Sequence, residues 1–205
     1  MALQLPEWFE QTDFRIWYYL NGLWRNDFLD AVMPYIRNQY TWAPLYLFLL
    51  VFIVYNYGAK GLAWCVAFLL CFAFGDFISA SLIKPFVQRM RPCTDPRLKD
   101  IVQLIVPRST GYSFPSSHAT NHFAMGTFMA ITLNRRIKGI WPIPLLWALA
   151  IGYAQIYVGV HFPFDVLCGA ILGAVIGFFI AKAYHRYFTL AIKSPQPEKR
   201  SSASH

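Results

Sequence analysis

The chain has 205 residues, of which 57% are hydrophobic and 18% aromatic, while only 14% are charged. A soluble domain carries roughly 25% charged residues, so the composition excludes an ordinary water-soluble body. It leaves the net charge of +8 no such body on which to display a basic face, and no Lys/Arg stripe or aromatic-interleaved basic patch points to nucleic acid.

In chain order, residues 1–13 carry Glu7, Glu10 and Asp13 and lack an apolar core, so no signal peptide is expected there. Between residues 8 and 37, Trp17, Leu20, Trp24, Phe28 and Ala31 recur at spacings of three and four among Arg15, Asn21, Arg25, Asp27 and Asp30. That pattern predicts an amphipathic helix lying at a membrane surface, and residues 1–41 are read as an interfacial segment. Five apolar stretches follow, roughly 42–57, 62–86, 117–134, 140–157 and 164–184, against the need for about 20 residues to cross a bilayer. Trp42 and Tyr57 bracket the first as interfacial anchors.

One long polar stretch, 87–114, separates the second and third spans and holds Arg89, Arg91, Arg97, Lys99 and Arg108. The last span carries Gly169, Gly173 and Gly177, a small-residue ladder expected to pack within the chain rather than form a dimer seam. Residues 191–205 read as a disordered tail. Cys65, Cys71, Cys93 and Cys168 show no CxxC or metal-ligand spacing and are expected to be packing residues. The expected fold is all-α: a membrane helical bundle of about five transmembrane helices over residues 42–190, preceded by the interfacial helix.

With five spans, 58–61, 135–139 and the C-terminal tail share one face; the N-terminal segment, the 87–114 loop and the 158–163 turn share the other. Each face carries nine Lys and Arg, so the count alone is undecided. The compact Arg135, Arg136, Lys138 cluster, accompanied by the single acid Glu198, assigns the first face to the cytoplasm. The C-terminus is then cytoplasmic, and the long loop faces the periplasm or exterior of a cell (inner) membrane.

Three segments converge on that outer face: Lys84 through Arg91-Pro92 at the end of span two, Pro115-Ser116-Ser117-His118 opening span three, and Gln155 through His161-Phe162-Pro163-Phe164-Asp165 between spans four and five. Lys84 and Arg91 can hold a dianionic phosphate, Arg with its bidentate fork. The amides of Ser116, Ser117 and His118 open a helix, a natural anion site. His161 and Asp165, four apart, allow the carboxylate to accept from one ring N–H and leave the other nitrogen as a nucleophile. His118 is free to protonate a leaving oxygen. Asp76, inside span two, and His122, one turn after His118, are read as hydrogen-bonded or packing groups rather than reacting ones.

These segments resemble the three-part signature of the type 2 phosphatidic acid phosphatase family: Lys-x6-Arg-Pro, Pro-Ser-Gly-His and Ser-Arg-x5-His-x3-Asp. Lys84, Arg91 and Pro92 match the first part, Pro115, Ser116 and His118 the second, and His161 and Asp165 the third. The resemblance implies metal-free, cofactor-free hydrolysis of a lipid phosphate through a phosphohistidine, in a vanadate-sensitive site inside a helical bundle. Its partners are a lipid phosphate within the bilayer and the membrane lipids themselves. Ser117 replaces the family's glycine, Ala154 its serine, and Gln155 its phosphate-binding arginine. Loss of that charge-assisted contact costs on the order of 1.5–3 kcal/mol, which Arg89, Lys99 or Arg108 is expected to offset; the alternatives are a slower enzyme or a substrate charged differently.

Among substrates the reading favours undecaprenyl diphosphate, the spent cell-wall carrier. Phosphatidylglycerophosphate, phosphatidic acid and lipid A 1-phosphate remain open within the class. A lipid phosphotransferase and a non-catalytic lipid-phosphate binding or translocating protein are the alternatives outside it.

Overall fold

A computed structural model describes residues 6–188 and 190; within them every regular element is helical. The tail expected to be disordered, 191–205, lies outside the described residues, as do residues 1–5.

The N-terminal segment forms two helices rather than one, α1 (Glu7–Tyr18) and α2 (Asp27–Arg37). A wide turn over Tyr19–Leu23 ends the first, and Asn26 starts the second by accepting from the Leu29 amide at 2.9 Å, the usual work of an N-cap side chain. The apolar face inferred from spacing divides between two surroundings. Trp17 is fully buried against Phe162 within the protein, whereas Trp24 and Phe28 point outward. A 3.6-residue period marks an apolar stripe without saying whether protein or lipid covers it.

Next come α3 (Ala43–Tyr57) and α4 (Ala59–Asp76), joined at Gly58 with φ +58°. α4 continues through a wide turn, Phe77–Ile83, into α5 (Lys84–Val87), so that Ala59–Val87 is one helix of 29 residues. After the long loop, α6 (Ser117–Asn134), α7 (Pro142–Tyr157) and α8 (Pro163–Tyr187) complete the bundle. Ser116 caps α6, and Pro142 and Pro163 stand at the first positions of α7 and α8, where a missing N–H costs nothing.

Among the described residues, three helices are long and apolar enough to cross a membrane: Gln39–Tyr57, Ala59–Val87 and Pro163–Tyr187. Their outward residues, among them Leu47, Phe48, Val51, Leu69, Phe72, Ile171 and Phe179, are large and apolar, a surface that suits hydrocarbon and not water. α6 carries polar residues, yet Thr120, Asn121, His122 and Thr132 are all buried. It packs against α4, α7 and α8 and forms the axis of the bundle.

Gly169, Gly173 and Gly177 let α8 press onto that axis. A Cβ at these positions would run into the carbonyl oxygens of Ser116, Thr120 and Ala124 respectively. The ladder is therefore an intrachain seam, as its spacing predicted. Toward the end of the bundle away from Lys84, Trp64, Phe68, Phe128 and Tyr184 form the core, with the Trp64 indole donating to Thr132 Oγ1 at 2.8 Å. All four cysteines are free thiols, three of them buried among apolar side chains.

Candidate active site

The turn between α7 and α8 carries His161. Gly159, at φ +84°, takes a left-handed conformation that side chains disfavour. Asn21, buried in the turn after α1, staples this corner: its amide donates to the Tyr157 and Gln103 carbonyls at 2.7 and 2.9 Å and accepts from the Gln103 amide at 3.0 Å. The amides of Val160 and His161 both donate to the Gln155 carbonyl at 3.2 Å, which fixes the imidazole at the end of the bundle where α7 turns into α8.

His161 is 2% exposed. Its Nδ1 lies 3.6 Å from Asp165 Oδ2, too far for a direct hydrogen bond, contrary to the contact expected from their four-residue spacing. Ser113 stands between them, its Oγ 3.3 Å from Nδ1 and donating to Asp165 Oδ2 at 2.5 Å. Because that hydroxyl gives its proton to the carboxylate, it meets Nδ1 as an acceptor. The proton is thereby placed on Nδ1, and the lone pair on Nε2. Arg91 completes the assignment by donating from a terminal nitrogen to Nε2 at 2.9 Å. Burial pushes the His161 pKa down to about 3, with Asp165 pulling the other way, so the ring is a neutral imidazole with its lone pair outward.

Asp165 is fully buried and wholly engaged. Oδ2 also accepts from the Phe162 amide at 2.9 Å, capping α8, and Oδ1 accepts from Arg89 at 2.6 Å. Arg89 extends its other terminal nitrogen to Asp13 of α1 at 2.6 Å and lies over the Phe162 ring, 4.4 Å from its centroid. It therefore does not supply the missing phosphate charge. Lys99 and Arg108 are exposed and make no hydrogen bond or ion pair among the described residues.

Lys84 donates to the Tyr112 and Ser113 carbonyls at 3.0 and 3.3 Å, and Arg91 to those of Gly111 and Val160 at 3.2 Å each. Both cations thus reach the His161 corner through the 111–113 strip of the long loop. At the start of α6 the expected anion site narrows. The Ser116 amide is used by the Asp165 carbonyl at 2.9 Å, and its hydroxyl accepts from Ala119 as the helix cap. The amides of Ser117 and His118 remain as helix-start donors, while the Ser117 hydroxyl bonds Ser79 at 2.9 Å.

His118 is half-buried, and its ring has no hydrogen-bond partner among the described residues. His122 is a support, as expected: Nδ1 donates to the His118 carbonyl at 2.7 Å, and Nε2 lies 3.4 Å from the Tyr46 hydroxyl. Asp76 accepts from Asn121 at 3.3 Å. Gln155 is completely buried, and neither end of its amide has a partner among the described residues.

Comparison with known proteins decides the family. The PAP2 superfamily profile matches residues 62–188. The chain belongs to the PAP2 superfamily. Over 194 residues it is 29% identical to a lipid A 4'-phosphatase of Bacteroides thetaiotaomicron, covering 93% of this chain and 84% of the relative. A lipid A 4'-phosphatase of Porphyromonas gingivalis is 31% identical over 180 residues, covering 87% and 75%, and an undecaprenyl-diphosphatase of Sulfolobus acidocaldarius is 29% identical over 153 residues, covering 73% and 68%. Among solved structures, Aquifex aeolicus LpxE is similar at TM-score 0.66 and 29% identity over 89% of this chain and 99% of that one. A transmembrane PAP2 phosphatidylglycerolphosphate phosphatase of Bacillus subtilis shares the fold at TM-score 0.71, 22% identity and 89% coverage of both chains.

This PAP2 protein is therefore a multi-pass membrane lipid phosphatase, and three features of its site were not inferred from the sequence. Ser113 had no motif to mark it. The Asp13–Arg89 pair joins residues 76 positions apart, a separation over which no local spacing speaks. Arg37 is the third. It closes α2, its Nε is buried without a partner, and its charge acts on Arg91 and His118. Burial and then the like charge of Arg91 push its pKa below the ordinary 12.5, and no carboxylate pairs with it among the described residues.

Proposed function

We propose that this PAP2 phosphatase removes the phosphate of a lipid A-type saccharolipid through a phosphohistidine on His161, with Asp165 and His118 as its helpers. The observation that carries the chemistry is the neutral imidazole whose Nε2 lone pair is held outward against Arg91. Its position is where phosphorus must arrive for attack.

In this reading Arg91 swings from Nε2 onto the phosphate oxygens. Lys84, Arg37 and the Ser117 and His118 amides take the remaining charge, and Gln155 contributes its unpartnered amide. Arg37 then supplies, from another helix, the cation that the family places at Gln155. Nε2 gives its lone pair to phosphorus as the bond to the leaving oxygen breaks, and His118 hands that oxygen a proton. Imidazole, still carrying Nδ1–H, is left as a cationic phosphoimidazole beside Ser113 and Asp165. Neutral His118 next takes a proton from water, whose oxygen attacks phosphorus, and His161 leaves as the neutral imidazole it began as, the lone pair back on Nε2.

Five crossings, by α3, the α4–α5 helix, α6, α7 and α8, bring Lys84, His118 and His161 to one side, read as the periplasmic or exterior face of the inner membrane, with the C-terminus cytoplasmic. A lipid substrate fits an apolar groove of about 450 Å³ between α3 and α4, floored by His122 and Met125 of α6. Lipid A is favoured over the other lipid phosphates because two relatives of that name align along most of this chain. Undecaprenyl diphosphate is the second reading, supported by the Sulfolobus relative.

The test is phosphate release by purified protein from lipid A and undecaprenyl diphosphate, wild type against His161→Ala. We expect release from lipid A to exceed that from undecaprenyl diphosphate, and the variant to lose at least about 10³-fold. Release that survives the substitution overturns the mechanism, and a preference for the prenyl substrate overturns the lipid A assignment.

A further inference from the structure

The N-terminal helix reaches into the reaction centre through one side chain. Asp13 is 4% exposed and accepts from Arg89 at 2.6 Å and from the Phe164 amide, in the first turn of α8, at 2.9 Å. Arg89 in turn donates to Asp165 at 2.6 Å, so α1, the long loop and α8 meet on a single guanidinium. Asp13 lies well before the family-matched residues 62–188, and none of the three signature segments includes it or requires Arg89.

Charge explains why a second carboxylate belongs there. An arginine paired with Asp165 alone would neutralise it, and a neutralised Asp165 does little for a positive ring nearby. Asp13 shares the guanidinium, so two carboxylates and one cation leave the cluster with one negative charge. Burial raises the Asp13 pKa above the ordinary 3.8, against Arg89 and the Phe164 amide. Two donors within 3 Å are nonetheless the surroundings of an ionised carboxylate. The residual charge matters when His161 becomes a cationic phosphoimidazole, the step at which positive charge first appears on the ring.

We infer that Asp13 and Arg89 are positioning residues which hold Asp165 in place and preserve its negative charge for the phosphohistidine step. The inference rests on the phosphohistidine reading above. The pair touches neither substrate nor the reacting atoms and acts through Asp165. Its removal should therefore lower turnover while leaving substrate binding in place, and the loss of one hydrogen bond to a charged group corresponds to about 10–100-fold.

The experiment compares kcat and KM for phosphate release by wild type, Asp13→Asn, Asp13→Glu, Arg89→Lys, Phe9→Ala and His161→Ala, with thermal midpoints in detergent alongside. Phe9→Ala is the structural control. Phe9 docks α1 through its ring 4.4 Å from that of Phe164 and, having an apolar side chain, gives no hydrogen bond or charge to Asp13, Arg89 or Asp165. We expect Asp13→Asn and Arg89→Lys to lose about 10–100-fold in kcat with KM within about threefold. Asp13→Glu should recover most of the Asp13→Asn loss, and Phe9→Ala should lower the midpoint with kcat nearly unchanged. If Asp13→Asn does not fold, Arg89→Lys, which keeps the cation but cannot fork to two carboxylates, carries the comparison. Unchanged kcat in Asp13→Asn or Arg89→Lys overturns the inference. So does a kcat loss in Phe9→Ala equal to theirs, since α1 would then act only by docking. His161-independent release in the same assay overturns the underlying mechanism instead, and the two failures are told apart.

Discussion

At the scale of single residues, the site is a chain of donors that settles where each proton sits. Ser113 gives its proton to Asp165, so His161 must give its Nδ1 proton to Ser113, and Nε2 is left as the acceptor that Arg91 occupies. Arg37 enters this scale as a cation whose buried Nε has no partner among the described residues. Replacing it by Gln should reduce kcat/KM by about 10–150-fold, the equivalent of one charge-assisted contact of about 1.5–3 kcal/mol. Gln155→Arg should do little in the wild type and restore much of the loss in the Arg37→Gln background. Steady-state kinetics of the two single variants and the double variant check this, and additive losses would show that the two positions do not serve one phosphate. The signature residues were legible because each motif is short and its chemistry local: Lys84 with Arg91, Ser116 with His118, His161 with Asp165. Ser113, Asp13 and Arg37 were not, because each earns its place through contacts made across the fold, and no spacing along the chain encodes such meetings.

Among helices, the decisive contact is α8 on α6. The ladder Gly169, Gly173, Gly177 was readable as a packing face, and the structure identifies its partner as the α6 backbone. Since Asp165 opens α8 and His118 opens α6, this seam also sets the distance between the two ends of the catalytic apparatus. Gly173→Val should force the helices apart, with a fall in the thermal midpoint and in the yield of folded protein, because a side chain there meets the Thr120 carbonyl. The same change at Gly22, where an added Cβ comes no closer than 3.7 Å to a neighbour, should cost much less stability through packing. A thermal-melt comparison in detergent checks the pair. The N-terminal segment shows the opposite case. Its aromatic spacing reads as one amphipathic surface helix, but the segment forms two helices, and Trp17 is covered by Phe162 while Trp24 and Phe28 face outward. Hydrophobicity measures avoidance of water, and both a protein core and a bilayer satisfy it.

For the whole molecule, polarity is arranged inside out. α3 and the α4–α5 helix meet the lipid with apolar residues on nearly every side, whereas α6 keeps Thr120, Asn121, His122 and Thr132 for the interior. Three of the helices therefore announce themselves as spans by apolarity alone, and α6 does not. In the sequence, 117–134 counts among the apolar spans, yet α6 falls short of the other three in apolarity because its polar residues are kept for the interior.

That arrangement bears on how the protein is made. In the proposed topology α6 leaves the ribosome before α8, the helix whose glycines shelter its backbone. Until α8 arrives, α6 would have to present its amide, imidazole and hydroxyl groups to hydrocarbon, an unfavourable state for polar side chains. The expected route is delayed entry, with α6 waiting at the insertion machinery and moving into the bilayer together with the helices that follow it. A chain ended at residue 160 should integrate α6 less completely than the full chain. A glycosylation acceptor placed in the 135–139 turn of each would report the difference, and equal integration of the two would mean that α6 enters alone.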